Sequence, residues 1–234
     1  MKKNILICGA SKNLGNYLSK KFEKNNVVYK ISRKKLKEKN YFSCDFLKFN
    51  KLIKTLSSIK SKSKKIHGVI FCIGDSKKYY GKEDNLNFWK KSLESNLYTF
   101  INFTNAFIKV FKKSNSKIIV ISSIAGTNII EAPITYSVSK SALNYYAKIK
   151  SKELIKLGIQ LNILSLGNIL QTGNNWHKKI NQNKKKVKNY IKNNVPSNRF
   201  CDPDEIYAIC ENLINRKNSN FIGSNIILDG GQSL

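Results

Sequence analysis

Tyr136 and Lys140 define a chemistry more directly than any other pair in this chain. They stand four positions apart in Tyr136-Ser137-Val138-Ser139-Lys140, inside a stretch of helical pattern from Ile134 to Leu157. Side chains at i and i+4 share one face of a helix. A free phenol titrates near ~10 and is a poor proton carrier at neutral pH. An ammonium held beside it lowers that value by roughly 1–3 units, toward the range where general acid–base catalysis is efficient. The pair thus suits giving or taking a proton on a substrate oxygen, and Lys140 has the reach to hold a ribose hydroxyl as well. The same spacing also describes an ordinary surface pair, so context decides. Ser122-Ser123-Ile124-Ala125-Gly126 follows a buried, strand-like run from Lys117. Open α/β sheets bind ligands at the carboxyl ends of such strands.

A second constellation lies near the start. The apolar run Asn4 to Cys8 passes straight into Gly9-Ala10-Ser11-Lys12-Asn13-Leu14-Gly15, and a helical pattern follows. Glycines in such a turn let the backbone approach a pyrophosphate, and the helix N-terminus offers free N–H groups with a positive dipole. A plain strand-to-helix turn would look similar. The second strand ends at Ile31-Ser32-Arg33-Lys34. An acidic residue there would suit the ribose 2′-hydroxyl of NAD, whereas Arg33 suits a 2′-phosphate, within reach of Lys12 as well. NADPH is therefore expected over NADH, against the alternative that Arg33 and Lys34 are two more solvated charges.

The elements that must position these residues are read from periodicity. Apolar runs at 4–8, 27–31, 41–44, 68–73, 117–122, 159–164 and 225–228 read as strands. Helical patterns fall at 14–24, 46–59, 88–111, 134–157 and from Asp202-Pro203 to about Leu213. Such alternation predicts an α/β fold: a Rossmann-type, doubly wound parallel sheet of about seven strands with helices on both faces. The 234 residues read as a single domain, 1–234, with a polar, Lys-rich flap at about 168–195.

Composition narrows the classes. Forty-three basic residues stand against 14 acidic ones, a formal charge of +29. The lysines are dispersed among Asn, Ile, Tyr and Phe, so salt-sensitive adhesion to polyanions is expected but no specific nucleic-acid site. Five cysteines without a CxxC pair, and only His67 and His177, give no framework for zinc and point to a reducing, cytoplasmic setting. The apolar run after Met1 ends at Gly9, too short for a signal core or a membrane span.

Together these motifs resemble the short-chain dehydrogenase/reductase family, in its compact single-domain branch, and most closely the 3-oxoacyl-(acyl-carrier-protein) reductases. The resemblance spans nearly the whole chain. It rests on Gly9 to Gly15, Asp45 after the third strand, Gly74 after the fourth, Asn96, Ser123, the Tyr136/Lys140 pair, Gly167 after the sixth strand and Asp229-Gly230-Gly231. It implies a catalytic set of Asn96, Ser123, Tyr136 and Lys140. Tyr136 would exchange the proton, Ser123 would steady the substrate oxygen, Lys140 would tune Tyr136, and Asn96 would hold a water leading to solvent. It implies a nicotinamide cofactor cleft formed by Gly9, Ser11, Lys12, Asn13, Leu14, Gly15, Arg33, Asp45, Phe46, Cys72, Gly74, Tyr136, Lys140, Gly167 and Ile169. The expected reaction is reduction of a carbonyl to an alcohol, or the reverse. A sugar or polyol dehydrogenase would use the same residues, and an NADP-sensing regulatory protein would keep the turn without needing Tyr136.

Four positions depart from the family pattern. Asn13 stands at the middle glycine, Phe71-Cys72-Ile73-Gly74 replaces Asn-Asn-Ala-Gly, Leu166 replaces the proline before Gly167, and Gln171 precedes Thr172 where a threonine is usual. In the flap, Trp176 is a candidate to pack on substrate. Lys178, Lys179, Lys184, Lys185, Lys186 and Lys188 are candidates to draw an anionic or carrier-linked substrate, against the plain reading of a solvated basic face. His177 reads as an exposed loop residue. The two long helices suggest a homodimer or homotetramer, with Phe100, Phe103, Tyr145 and Tyr146 available either to that contact or to the core.

Overall fold

A computed structural model describes residues 2–75, 85–112, 114–216 and 220–234. The polar loop expected from Asp75 to Asn85 therefore falls largely, at 76–84, outside the described residues. Seven strands form one sheet: β1 (Asn4–Cys8), β2 (Val27–Ser32), β3 (Tyr41–Ser43), β4 (Gly68–Phe71), β5 (Lys117–Ser123), β6 (Gln160–Leu166) and β7 (Asn225–Leu228). Their order is β3-β2-β1-β4-β5-β6-β7 and every pairing is parallel. The chain runs outward from β1 to β3, then returns to place β4 on the other side of β1. That reversal opens a crevice at the carboxyl ends of β1 and β4.

Continuous apolar strands require cover on both faces. Along β1, Leu6 and Cys8 enter one core while Ile5 and Ile7 enter the other. The first core is closed by α2 (Phe49–Lys62), α4 (Thr99–Val110) and α5 (Ile134–Ile155), and the second by α1 (Asn13–Glu23) and α8 (Pro203–Asn215). The start of α8 follows the expected signals. The Asp202 carboxylate accepts from the Asp204 N–H at 2.8 Å, and Glu205 reaches back to the Asp202 N–H at 3.0 Å. No helix among the described residues is long and apolar enough to cross a membrane.

Three local features differ from the periodicity reading. The helix expected over 88–111 begins earlier, as α3 (Leu86–Leu93), and is interrupted by a π turn at Glu94–Tyr98 before α4. The interruption holds Asn96, in keeping with the tendency of such turns to mark functional positions. The Lys-rich segment is helical, as α6 (Asn175–Gln182) and α7 (Lys184–Asn194). Its sparse apolar residues are spaced to make a small core of their own: Val187, Val195 and Phe200, with Trp176, Ile180, Tyr190 and Ile191 against them. Finally, Phe100 and Phe103 are fully buried inside the subunit, whereas Tyr145 remains 69% exposed.

The first core contains a cluster of rings. Phe71 meets Phe46 at 5.6 Å, Phe100 at 4.9 Å and Phe103 at 5.3 Å between centroids. This is the physical content of the Phe71 departure, since aromatic packing braces the sheet centre where the family pattern has amides. Phe71→Ala is expected to lower unfolding free energy by about 3–5 kcal/mol, read from denaturant midpoints at unchanged slope.

Candidate active site

The turn after β1 has the shape that its glycines allow. Gly9 adopts φ +89°, and its N–H donates to the Ile31 carbonyl at 2.8 Å. A Cβ on Gly15 would lie 2.3 Å from the Gly9 carbonyl oxygen, so helix and turn touch backbone to backbone. Asn13 takes φ +47°, the left-handed backbone that a middle glycine would otherwise supply and that Asn tolerates better than most residues. Lys12 is the N-cap of α1, with extended backbone and no side-chain cap, and the first turn carries no acidic residue. Ser11 is half-buried, Lys12 and Asn13 are exposed, and Leu14 points into the second core. An uncapped, positively biased helix end beside a tight turn fits a pyrophosphate.

The other cofactor candidates sit at the same edge of the sheet. Arg33 is exposed just past β2. The Asp45 carboxylate accepts from the Leu47 N–H at 3.0 Å. Phe46 turns its ring into the core and its carbonyl accepts from the Asn102 amide at 3.0 Å. Gly167 is required by the closing turn, because a Cβ there would meet Asp229 Cβ at 2.7 Å. Asp229 in turn accepts from the N–H groups of Gly231 and Ser233 at 2.9 and 2.7 Å. Ile169 bridges to Cys201 and packs on the second core. Cys72 follows β4, its N–H bonded to the Cys8 carbonyl at 2.9 Å. Burial pushes its thiol up to about 12, and nearby Lys140 only partly opposes this, so the sulfur stays protonated.

The four catalytic candidates converge. Asn96 is fully buried; its Oδ1 accepts from the Asp75 N–H at 3.0 Å and its amide donates to the Asp75 carbonyl at 3.1 Å. This clasp fixes the chain just past Gly74. A Cβ on Gly74 would lie 2.9 Å from Asn96 Oδ1 and 3.1 Å from Lys140 Nζ, so glycine admits both side chains at once. The Asn96 side-chain amide is thus engaged with the backbone of Asp75. Ser123 ends β5, and its hydroxyl accepts from the Ala125 N–H at 3.2 Å. It also lies beside the Tyr136 phenol.

The electrostatics of the pair differ from the sequence expectation. Lys140 is only 4% exposed, and its ammonium donates to the Ile121 carbonyl at 3.2 Å, 5.9 Å from the Tyr136 ring centre. Burial pulls the Lys140 amine down to about 8. Tyr136 is raised rather than lowered: burial dominates, the Ser123 hydroxyl pulls the other way, and the Asp75 charge adds to the rise. The cation is aimed at a strand carbonyl and not at the phenol oxygen, so desolvation outweighs it. Tyr136 therefore stands as a protonated acid at neutral pH. Trp176, a candidate for substrate contact, instead stacks on Tyr190 and Phe200 and donates to Asn168 Oδ1 at 2.9 Å. His177 lies half-buried on α6, with its N–H bound by the Asn174 N-cap. The periodicity reading missed Ser92 and Ser139, buried hydroxyls between α3 and α5 with no sequence signature beyond two serines at apolar helix positions.

Lys140 sets a pH dependence whose sign follows from its depressed value. Between about 8 and the ordinary 10.5 the unfolded chain binds more protons than the folded one, so stability rises with pH across that window. Lys140→Met is expected to stabilise the protein at pH 7 by roughly 3 kcal/mol. That gain should shrink as pH rises through the window, read from denaturant unfolding of both proteins at several pH values.

Comparison with known proteins identifies the family. The family model described as enoyl-(acyl carrier protein) reductase matches residues 16–233. The 3-oxoacyl-[acyl-carrier-protein] reductase of Buchnera aphidicola subsp. Acyrthosiphon pisum is 26% identical over 98% of this chain and 97% of its own length. A solved structure of ElxO with NADP bound superposes with a TM-score of 0.87 at 21% identity, covering 99% of each chain. A short-chain dehydrogenase from Leptospira borgpetersenii serovar Hardjo-bovis with bound NAD+ gives 0.86 at 18% identity, covering all of this chain and 94% of that one. The chain belongs to the short-chain dehydrogenase/reductase family and is an oxidoreductase of that family.

Proposed function

We propose that this enzyme reduces a carbonyl to an alcohol with NADPH, using Tyr136, Ser123, Lys140 and Asn96. The observation that carries the reading is the convergence of Tyr136, Ser123, buried Lys140 and buried Asn96 at the carboxyl edge of the sheet, where Gly74 admits the Asn96 and Lys140 side chains together. A bound nicotinamide supplies the hydride. The chain's own residues do the rest. Tyr136 hands its proton to the substrate oxygen, and Ser123 steadies the charge that develops there. Lys140 replenishes the proton and holds a ribose hydroxyl. Asn96 keeps the Gly74-Asp75 backbone clear of the Lys140 head.

Gly9, Ser11, Lys12, Asn13, Leu14 and Gly15 cradle the pyrophosphate in this reading, and Asp45 and Phe46 border the adenine. Cys72, Gly74, Gly167 and Ile169 line the nicotinamide end. Arg33 and Lys12 favour the 2′-phosphate of NADPH, because a guanidinium pairs well with a phosphate. The relatives themselves hold either NADP or NAD+.

The substrate is read as a carrier-linked or otherwise anionic carbonyl compound. Lys178, Lys179, Lys184, Lys185, Lys186 and Lys188 are all exposed on α6 and α7, the segment proposed as the flap over the site, and draw such a group by field. Assembly into a homodimer or homotetramer uses the outer face of α4 and α5. There a groove of about 570 Å³ runs between Ile101, Tyr146 and Ile149, with exposed Tyr145 beside it. Five free cysteines, four of them buried, fit a reducing cytoplasm.

Tyr136→Phe is expected to cut kcat by about 10²–10⁴ while NADPH binding, followed by nucleotide fluorescence, persists. Turnover near the wild-type rate in that variant would remove Tyr136 from the mechanism. Arg33→Ala is expected to lower the kcat/KM ratio of NADPH to NADH by about 10–100-fold, the worth of a charge-assisted hydrogen bond. An unchanged ratio would show that Arg33 is a solvated charge.

A further inference from the structure

A buried hydrogen-bond chain runs from Asn96 to the turn that carries Tyr136. Ser92, on α3, is 2% exposed. Its hydroxyl lies 3.0 Å from the Thr135 carbonyl oxygen and 3.1 Å from the Ser139 hydroxyl. The Ser139 hydroxyl donates to the Tyr136 carbonyl at 2.8 Å, so its proton is committed and it meets Ser92 as an acceptor. On the other side, the Asn96 amide donates to the Ser92 carbonyl at 3.1 Å and reaches the Ser92 hydroxyl at 3.4 Å. The single Ser92 proton is shared between the Thr135 carbonyl and the Ser139 hydroxyl, so this one hydroxyl ties α3 to the start of α5 at two points. Asn96, Ser139 and Thr135 are all essentially inaccessible to water.

The location gives the chain its significance. Ser92 stands immediately before the π turn at Glu94–Tyr98, where the helix widens and its regular bonding changes. Here α3 packs on α5. Apolar contact between two helices is non-directional and tolerates small slides, whereas hydroxyl bonds in a dry interior fix distance and angle and reinforce one another. Thr135 and Tyr136, whose carbonyls receive the two ends, belong to the first turn of α5. The backbone of that turn sets where the phenol lands relative to Ser123.

We propose that Ser92 is a positioning residue: it locks the first turn of α5 to the π turn, and so holds the Tyr136 hydroxyl in register with Ser123 and Asn96. The proposal rests on the reductase reading for its kinetic consequence, but the mechanical link stands on hydrogen bonds alone.

The test uses Ser92→Ala, Ser139→Ala, the double variant, and Ser92→Thr, which keeps the hydroxyl. Each is measured for kcat and for the KM of NADPH with a β-ketoacyl thioester, for melting temperature, and for amide hydrogen exchange in the peptide spanning 134–140. Ser92→Ala is expected to lower kcat about tenfold, as sub-ångström misplacement of an acid does, with the KM for NADPH within about twofold and faster exchange at 134–140. Ser139→Ala should behave alike, the double variant should be little worse than either single because one chain is cut twice, and Ser92→Thr should recover most of the rate. Unchanged kcat and unchanged exchange in both alanine variants would overturn the proposal, as would losses that add in the double variant and follow melting temperature alone. If Ser92→Ala fails to fold, Ser139→Ala carries the same comparison one link further along. Absence of any turnover by the wild-type protein would sink the reductase reading instead, and exchange at 134–140 would still decide the link.

Discussion

A single buried ammonium organises this site. Lys140 lies within the sheet's carboxyl edge with its charge turned to the Ile121 carbonyl, in a place where charge is costly. Burial depresses the titration of the amine accordingly. The surroundings are shaped to accommodate it. Gly74 has no side chain because Asn96 Oδ1 and the Lys140 head occupy that space, and Gly126 would otherwise collide with the Lys140 backbone. The π turn brings Asn96 to the same point. A marginally stable protein keeps such an arrangement where function requires it.

The phenol behaves accordingly. Burial raises its titration, and the neighbouring Ser123 hydroxyl opposes that rise. The division of labour is therefore not the simple one in which a lysine acidifies a tyrosine across one helical turn. The Lys140 ammonium is anchored to the Ile121 carbonyl of β5, while the Ser123 hydroxyl lowers and the Asp75 charge raises the titration of the phenol. Acid chemistry at neutral pH suits the reductive direction, in which the substrate oxygen gains a proton.

Two of the departures from the family pattern resolve into compensations. Phe71 replaces amide bracing by a cluster of rings, and Asn13 supplies the left-handed backbone that a glycine would have given. The Lys-rich segment of α6 and α7, polar enough in composition to look like a loop, packs with Trp176, Tyr190 and Phe200 in a small core and leaves its lysines exposed. A charge of +29 is thus carried at the surface, with Lys140 among the few lysines taken inside.

The strands, their parallel arrangement and the glycine turn were legible in the chain itself, because they follow from local rules. Apolar runs must be buried, glycine and asparagine mark left-handed turns, and Asp202-Pro203 with Glu205 announces a helix start. The catalytic candidates were legible for the same reason, being fixed by spacing along one helix and by position at strand ends. Tertiary structure alone decided what spacing cannot encode. The direction of the Lys140 ammonium, the clasp of Asn96 on Asp75, the break of one long helix into a π turn, and the Ser92–Ser139 chain all depend on groups far apart in sequence. So does the sign of the Tyr136 shift, because burial in a particular dielectric is a property of the folded surroundings and not of any residue within reach along the chain.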